Sequence, residues 1–266
     1  MRDTVALYLR FASVCLRSKM QYRASFILLS AGQFFALLLE FLAIWALFAR
    51  FGSLRGWSLP EIALFYGITH GSFAVAEIIG RGFDTFSDMI KSGDFDRFLV
   101  RPRSTTLQVA GREFDGRAGR LAQSLAVFCW SLHALPIAWS FPKIAILGAM
   151  FIGAICLFYG LFVLQATMSF WTVEGLEIMN AVTYGGTETA QYPLTIYRPW
   201  FRSIFTFIVP LACVNYLPAG LLFGRTPAAL STAPLLGLCP IAGVLFLGFS
   251  LLCWNVGVRH YCSTGS

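Results

Sequence analysis

Six apolar runs, each long enough to cross a hydrocarbon core of about 30 Å as a helix, constrain this chain more than any other feature. They read Ala24 to Phe51, Leu59 to Gly80, Leu121 to Trp139, Ile144 to Phe170, Ile204 to Phe223 and Ala233 to Val256. A soluble domain of 266 residues could bury 57% hydrophobic side chains, but it would arrange them as amphipathic stripes rather than as unbroken runs. The strand-length alternation of a membrane barrel is missing, and in lipid only helices or closed barrels satisfy the backbone. The expectation is an all-α polytopic membrane protein with six transmembrane helices.

Threading those spans in order piles the basic residues on one side. Arg2, Arg10, Arg17, Lys19, Arg23, Arg81, Lys91, Arg97, Arg101, Arg103, Arg112, Arg117, Arg120, Arg198, Arg202 and Arg259 fall together, against Arg50, Arg55, Lys143 and Arg225. The excess marks the cytoplasmic side and puts both termini there. The net charge of +7 then follows from topology and anionic headgroups, and no nucleic-acid partner is expected. The seven cysteines are scattered without a CxxC pair and read as small apolar fillers, with no metal site.

The first 23 residues carry five basic side chains before any long apolar run, unlike a secretory signal. Val5, Tyr8, Phe11 and Val14 recur near helical spacing, which predicts an interfacial amphipathic helix over 1–23 ahead of a membrane domain over 24–266. The outward loops, 52–58, 140–143 and 224–232, are short, so the inward segments Arg81 to Arg120 and Trp171 to Phe201 hold most of the soluble surface.

Within the first inward segment, Arg81 to Ser104 alternates charges with Phe83, Phe86, Met89, Ile90, Phe95, Phe98 and Leu99. A short helix is expected from Asp84 as cap to Lys91, ended by Gly93 in a left-handed turn, with Pro102 breaking the chain before Thr105. The second inward segment holds Glu174, Glu177 and then Gln191 to Arg202, where Tyr197, Arg198, Trp200 and Arg202 read as headgroup anchors. Pro210 and Pro218 bracket Asn215, so the fifth span is expected to be kinked or broken.

Ionisable groups at membrane depth are expensive unless paired or wetted. Gln33 and Glu40 share one face of the first span, and His70 and Glu77 one face of the second, since seven residues make about two helical turns. With Asn215, these five are candidates for a polar pathway or for contacts between helices. Phosphate-loop, nucleophile-elbow and zinc-protease motifs are all lacking, so catalysis by this chain is not expected.

The basic start, DMIKSGDFDRFLVRP (Asp88 to Pro102), YPLTIYRPWFR (Tyr192 to Arg202) and FIVPLACVNYLPAGLL (Phe207 to Leu222) together resemble the ABC-2 type permeases, in the bacterial branch whose ATPase is a separate chain. The resemblance implies a multi-pass subunit of the bacterial cytoplasmic membrane that pairs with a second permease, more often a different chain than itself. A dimeric cytoplasmic ATPase would drive export without a periplasmic binding protein. ATP and Mg would be bound by that partner, and no cofactor by this chain.

Arg81 to Ser104 would then be the coupling helix and 1–23 the connector helix. Phe86, Met89 and Ile90 would insert into an ATPase groove, Phe95 would extend the apolar face, and Asp88, Lys91, Asp96, Arg97 and Arg101 would fix register at the rim. Two rivals stand beside this reading. One is an ion-coupled secondary transporter using Glu40, His70 and Glu77; the other is a lipid-modifying membrane enzyme built on His70 and a carboxylate.

Overall fold

A computed structural model describes residues 2–114, 117–172, 176–225 and 233–262, so Glu174 and most of the 224–232 loop lie outside the described residues. The described chain is helical and contains no strand. Helix α1 (Arg2–Met20) turns sharply into α2 (Arg23–Phe51), and α3 (Leu59–Asp84) follows a tight loop. Gly52 ends α2 in the left-handed region at φ 73°, where a Cβ would be strained. Ser58 and Glu61 open α3, the Glu61 carboxylate accepting from the Ser58 backbone at 2.7 Å and from its hydroxyl at 2.9 Å.

Among the described residues, four helices are long and apolar enough to cross a membrane: α2, α3 with its continuation to Lys91, α8 (Phe141–Met168), and the stretch Leu236–His260 that contains α13 (Ile241–His260); a bent pair, described below, makes up to five. Helix α3 is the axis of the bundle. It is buried along most of its length and packs against α7 (Ala118–Ala134) and α8. Helix α2 is peripheral, burying Leu37, Ile44 and Phe48 while exposing Leu28, Phe35, Leu39 and Trp45. Helices α8 and α13 approach to backbone distance because glycines face each other: a Cβ on Gly243 would lie 2.0 Å from the Gly153 carbonyl oxygen.

Helix α7, at 17 residues, is short, yet it runs the length of the bundle beside α3. Arg117 reaches Glu77 at one end, and the Ser131 hydroxyl donates to the Pro60 carbonyl at the other. These contacts define two ends, one at Arg81 and one at Arg55. Helix α1 belongs to the Arg81 end: Tyr8 donates to the Ile79 carbonyl at 3.1 Å, and burial pushes its hydroxyl up to about 12. Phe11 packs close to Gly111 at the same end.

The segment expected as the second inward loop runs otherwise. Helix α9 (Leu176–Ala190) rises from the Arg81 end against α3, with Tyr184 beside Phe73 and the Ala190 carbonyl bonded to Thr69. The chain then reaches the opposite end, where Arg55 donates to the Thr195 carbonyl at 2.6 Å. From there Pro199–Ile208 dips back until Phe205 and Leu211 lie against Gly186. A bend of 84° follows, and Ala212–Leu222 returns to the Arg55 end, where Phe223 meets Trp57.

The expected break near Pro210 is therefore present, but the run Ile204 to Phe223 is a hairpin with both mouths at one end rather than a simple crossing. Sequence reading erred because Pro199–Ile208 and Ala212–Leu222 are jointly as apolar as one span, and hydropathy does not record a reversal. Arg198 and Arg202 accordingly sit toward the Arg55 end, leaving fourteen basic residues against six rather than sixteen against four.

Candidate functional site

The charged and polar groups of the interior line up along α3. Nearest the Arg81 end, the Glu77 carboxylate is 1% exposed and meets three guanidinium groups: Arg117 at 2.8 Å, Arg120 at 3.7 Å and Arg81 at 4.0 Å. Arg81 also pairs with Asp84, which accepts from Gln165 at 3.1 Å. Arg120 lies over the Phe73 ring at 5.3 Å, carrying positive charge inward from the rim. A carboxylate this buried is met by cations from three residues, the pairing that charges at membrane depth require.

About 10 Å further along α3, at 1.5 Å per residue, a second cluster forms around His70. Its Nε2 stands 3.1 Å from the Gln191 side-chain oxygen and 3.7 Å from Glu40. Gln191 donates onward to the Glu188 carboxylate at 2.8 Å. Beside it, Asn215 donates to Thr69 at 3.0 Å and to the Ala190 carbonyl at 2.8 Å, which pins the apolar hairpin to both α3 and α9. His70 and Asn215 are each 3% exposed, while Glu40 is 33% exposed and Glu188 faces outward.

Of the five polar candidates, Glu40 and His70 do meet, and Asn215 joins them through the Ala190–Gln191 turn. Glu77 belongs to the separate arginine cluster, and Gln33 is half-buried with its side-chain oxygen unpartnered. Arg117, Arg120, Glu188 and Gln191 escaped the sequence reading, because each was assigned to a loop outside the membrane. The signal that could have found the arginines is Glu77 itself, since a buried carboxylate demands a cation within reach.

The Arg81 to Ser104 segment is a bent finger. Helix α3 continues to Asp84, so Asp84 does not cap the next helix; α4 (Phe86–Lys91) starts two residues later and stops before Gly93 at φ 71°. Helix α5 (Asp96–Leu99) makes the second turn, and α6 (Thr105–Ala110) begins at Ser104, whose hydroxyl accepts from the Leu107 backbone.

Phe86, Met89 and Phe95 are fully buried and Ile90 nearly so. The Phe86 ring packs 4.9 Å from Trp254, 5.0 Å from Phe95 and 5.2 Å from Phe170, and Phe95 lies 5.1 Å from Tyr261. The expectation that Phe86, Met89 and Ile90 insert into a partner is thus corrected: they fasten the finger to α8 and α13. Among the residues the finger exposes are Asp88, Lys91, Arg97, Leu99, Val100, Arg101 and Arg103, with Val100 84% exposed and Asp96 half-buried. Arg97 pairs with Asp94 at 3.6 Å and Arg101 covers the Phe98 ring at 5.2 Å.

At the opposite end, Arg225 bridges the hairpin to α3 through Glu61 at 3.0 Å and lies 4.6 Å over Trp57. A cavity of about 540 Å³ opens there among Glu61, Pro136, Lys143, Phe223 and Arg225. Among the described residues no group of three His, Cys, Asp or Glu side chains is placed to hold a metal ion.

A family model described as ABC-2 family transporter protein matches residues 34–265. No curated protein and no solved structure matches the chain.

Proposed function

The chain belongs to the ABC-2 transporter family, and from that premise we propose that it is the membrane subunit of an ATP-driven exporter, forming the translocation path with a second permease of different sequence. A separate dimeric ATPase would bind ATP and Mg and push on the Arg81 to Ser104 finger. The observation that carries this reading is the finger's construction: an aromatic root buried against α13 and a tip of Leu99 and Val100 ringed by Arg97, Arg101 and Arg103. A lever needs a stiff base and an adhesive end, and here the two are made by different residues.

The excess of basic residues around α1 and the finger supports a cytoplasmic setting for that end and for both termini, in a bacterial inner membrane. Six crossings are reached if α7 and α9 count with α2, α3, α8 and α13, the hairpin then dipping in from outside. ATP-driven closure of the nucleotide subunits would move the finger, and α3, its direct continuation, would carry that motion to the His70 cluster and the Asn215 hairpin.

Val100→Asp is expected to abolish co-purification of an ATP-hydrolysing chain from detergent extracts while leaving the permease's melting temperature within about 2 °C of wild type, because an exposed substitution away from structural features costs little. Undiminished capture of the ATPase by this variant would refute the tip as the docking point.

The Glu40 and His70 contact favours one second reading, ion-coupled transport, from which Glu77 drops out because it is engaged in the separate arginine cluster. On the exporter reading, transport by Glu40→Gln still depends on ATP, and the rate the variant keeps does not vary between pH 6 and 8. A variant that loses a proton-driven component without any effect of ATP would favour the second reading instead.

A further inference from the structure

Through the middle of the bundle the exposed side chains of α2, α8 and α13 are apolar, Leu39, Ile152 and Leu245 among them. Helix α9 differs. It exposes Glu177, Asn180, Tyr184 and Glu188, spaced three and four residues apart and so aligned on one face over three turns. A carboxylate turned to lipid at this depth is strongly disfavoured, so that face meets water or polar matter while the others meet acyl chains.

The face has a defined chemistry where it passes the His70 cluster. Glu188 and Glu40 converge on Gln191 and His70, and no lysine or arginine among the described residues is within ion-pairing distance of either carboxylate. Behind them, two side chains each 3% exposed keep unused polar atoms, His70 Nδ1 and Asn215 Oδ1. The two carboxylates have no cation in direct contact, since Arg120, which acts on Glu40 from a distance, is engaged by Glu77, and Tyr184 on the same stripe offers an aromatic wall. A second copy placed face to face would set Glu188 against like charge, so the missing partner is a positive one.

We propose that Glu188, Glu40, Gln191 and Tyr184 form a binding site for the positively charged group of an otherwise apolar solute. The assignment rests on the reading of the chain as an export path, and it names the class of cargo: lipophilic cations.

The test is equilibrium binding of tetraphenylphosphonium to the full chain in lipid nanodiscs without ATP, with tetraphenylborate, an anion of the same shape, as control. The cation is expected to bind and the anion to bind at least tenfold more weakly. Glu188→Gln and Glu40→Gln should each weaken cation binding about tenfold, Glu188→Asp should retain most of it, and Ile152→Ala, on an apolar exposed face, should change nothing. Equal binding of both ions, no binding of the cation, or undiminished binding in both glutamine variants would overturn the proposal. Cation binding that persists with no ATP-driven movement in the ATPase-containing complex would support this site and count against the exporter reading alone.

Discussion

Glu77→Gln is expected to be the most damaging conservative substitution in the chain, lowering stability by about 3–5 kcal/mol, because it removes one charge of a buried set and leaves the rest. Glu77 is the shared counter-ion of Arg81, Arg117 and Arg120, all at least three-quarters buried. A glutamine side chain fits the same space but carries no charge, so Arg117 and Arg120 would lose the carboxylate they share at the edge of the hydrocarbon, while Arg81 keeps Asp84. The measurement is thermal unfolding in detergent, paired with fluorescence-detected size exclusion of freshly extracted protein. Glu40→Gln is the control: it has the same chemistry on a side chain 33% exposed, with His70 at 3.7 Å in place of a buried set of arginines, and should melt close to wild type. If the Glu77 variant also melts like wild type, the arginine cluster is wet enough that its charges need no counter-ion.

Phe86→Ala should cost about 3–5 kcal/mol, the usual price of emptying a fully buried aromatic site. Its ring is held by Phe95, Phe170 and Trp254, so truncation undoes the root of the finger and the closest contact between α4 and α13. The variant is expected to lose ATPase capture as well, for a reason unlike that of Val100→Asp. Limited proteolysis separates the two: cleavage within 86–103 should appear in Phe86→Ala and stay absent in Val100→Asp. Phe86→Leu, which refills most of the volume, should recover both stability and capture. Full stability in Phe86→Ala would mean that the aromatic cluster does not anchor the finger.

The helical membrane class, the position of most crossings and the finger's outline were legible because each depends on local pattern. A run of apolar residues needs lipid or core along its whole length, and Gly93 and Pro102 punctuate the chain wherever it folds. The partition of the finger was not legible. Phe86 and Val100 are both apolar residues in a charged segment, and only the arrival of Trp254 and Phe170, from far along the chain, decides that one is root and the other tip.

The polar site divides in the same way. That Glu40, His70 and Glu77 needed partners followed from burial cost alone, before any coordinates. Who those partners are did not. Arg117 and Arg120 look like loop residues until α7 packs on α3, and Glu188 and Gln191 look soluble until α9 is seen to rise through the bundle. Hydropathy finds helices that face lipid, and it passes over a helix whose neighbours are polar, which is why α9 was read as outside and the apolar hairpin as a span.

By itself, then, the amino-acid order determined the solvent of this protein, the helical form that solvent imposes, and the cost of every charge placed within it. The tertiary structure alone decided which charges meet, which end of the bundle the hairpin opens toward, and which face of α9 is left polar. The physical reason is one of range: transfer free energy is a property of each residue and its near neighbours, whereas an ion pair such as Arg117 with Glu77, or Asn215 with Thr69, exists only once distant segments have packed.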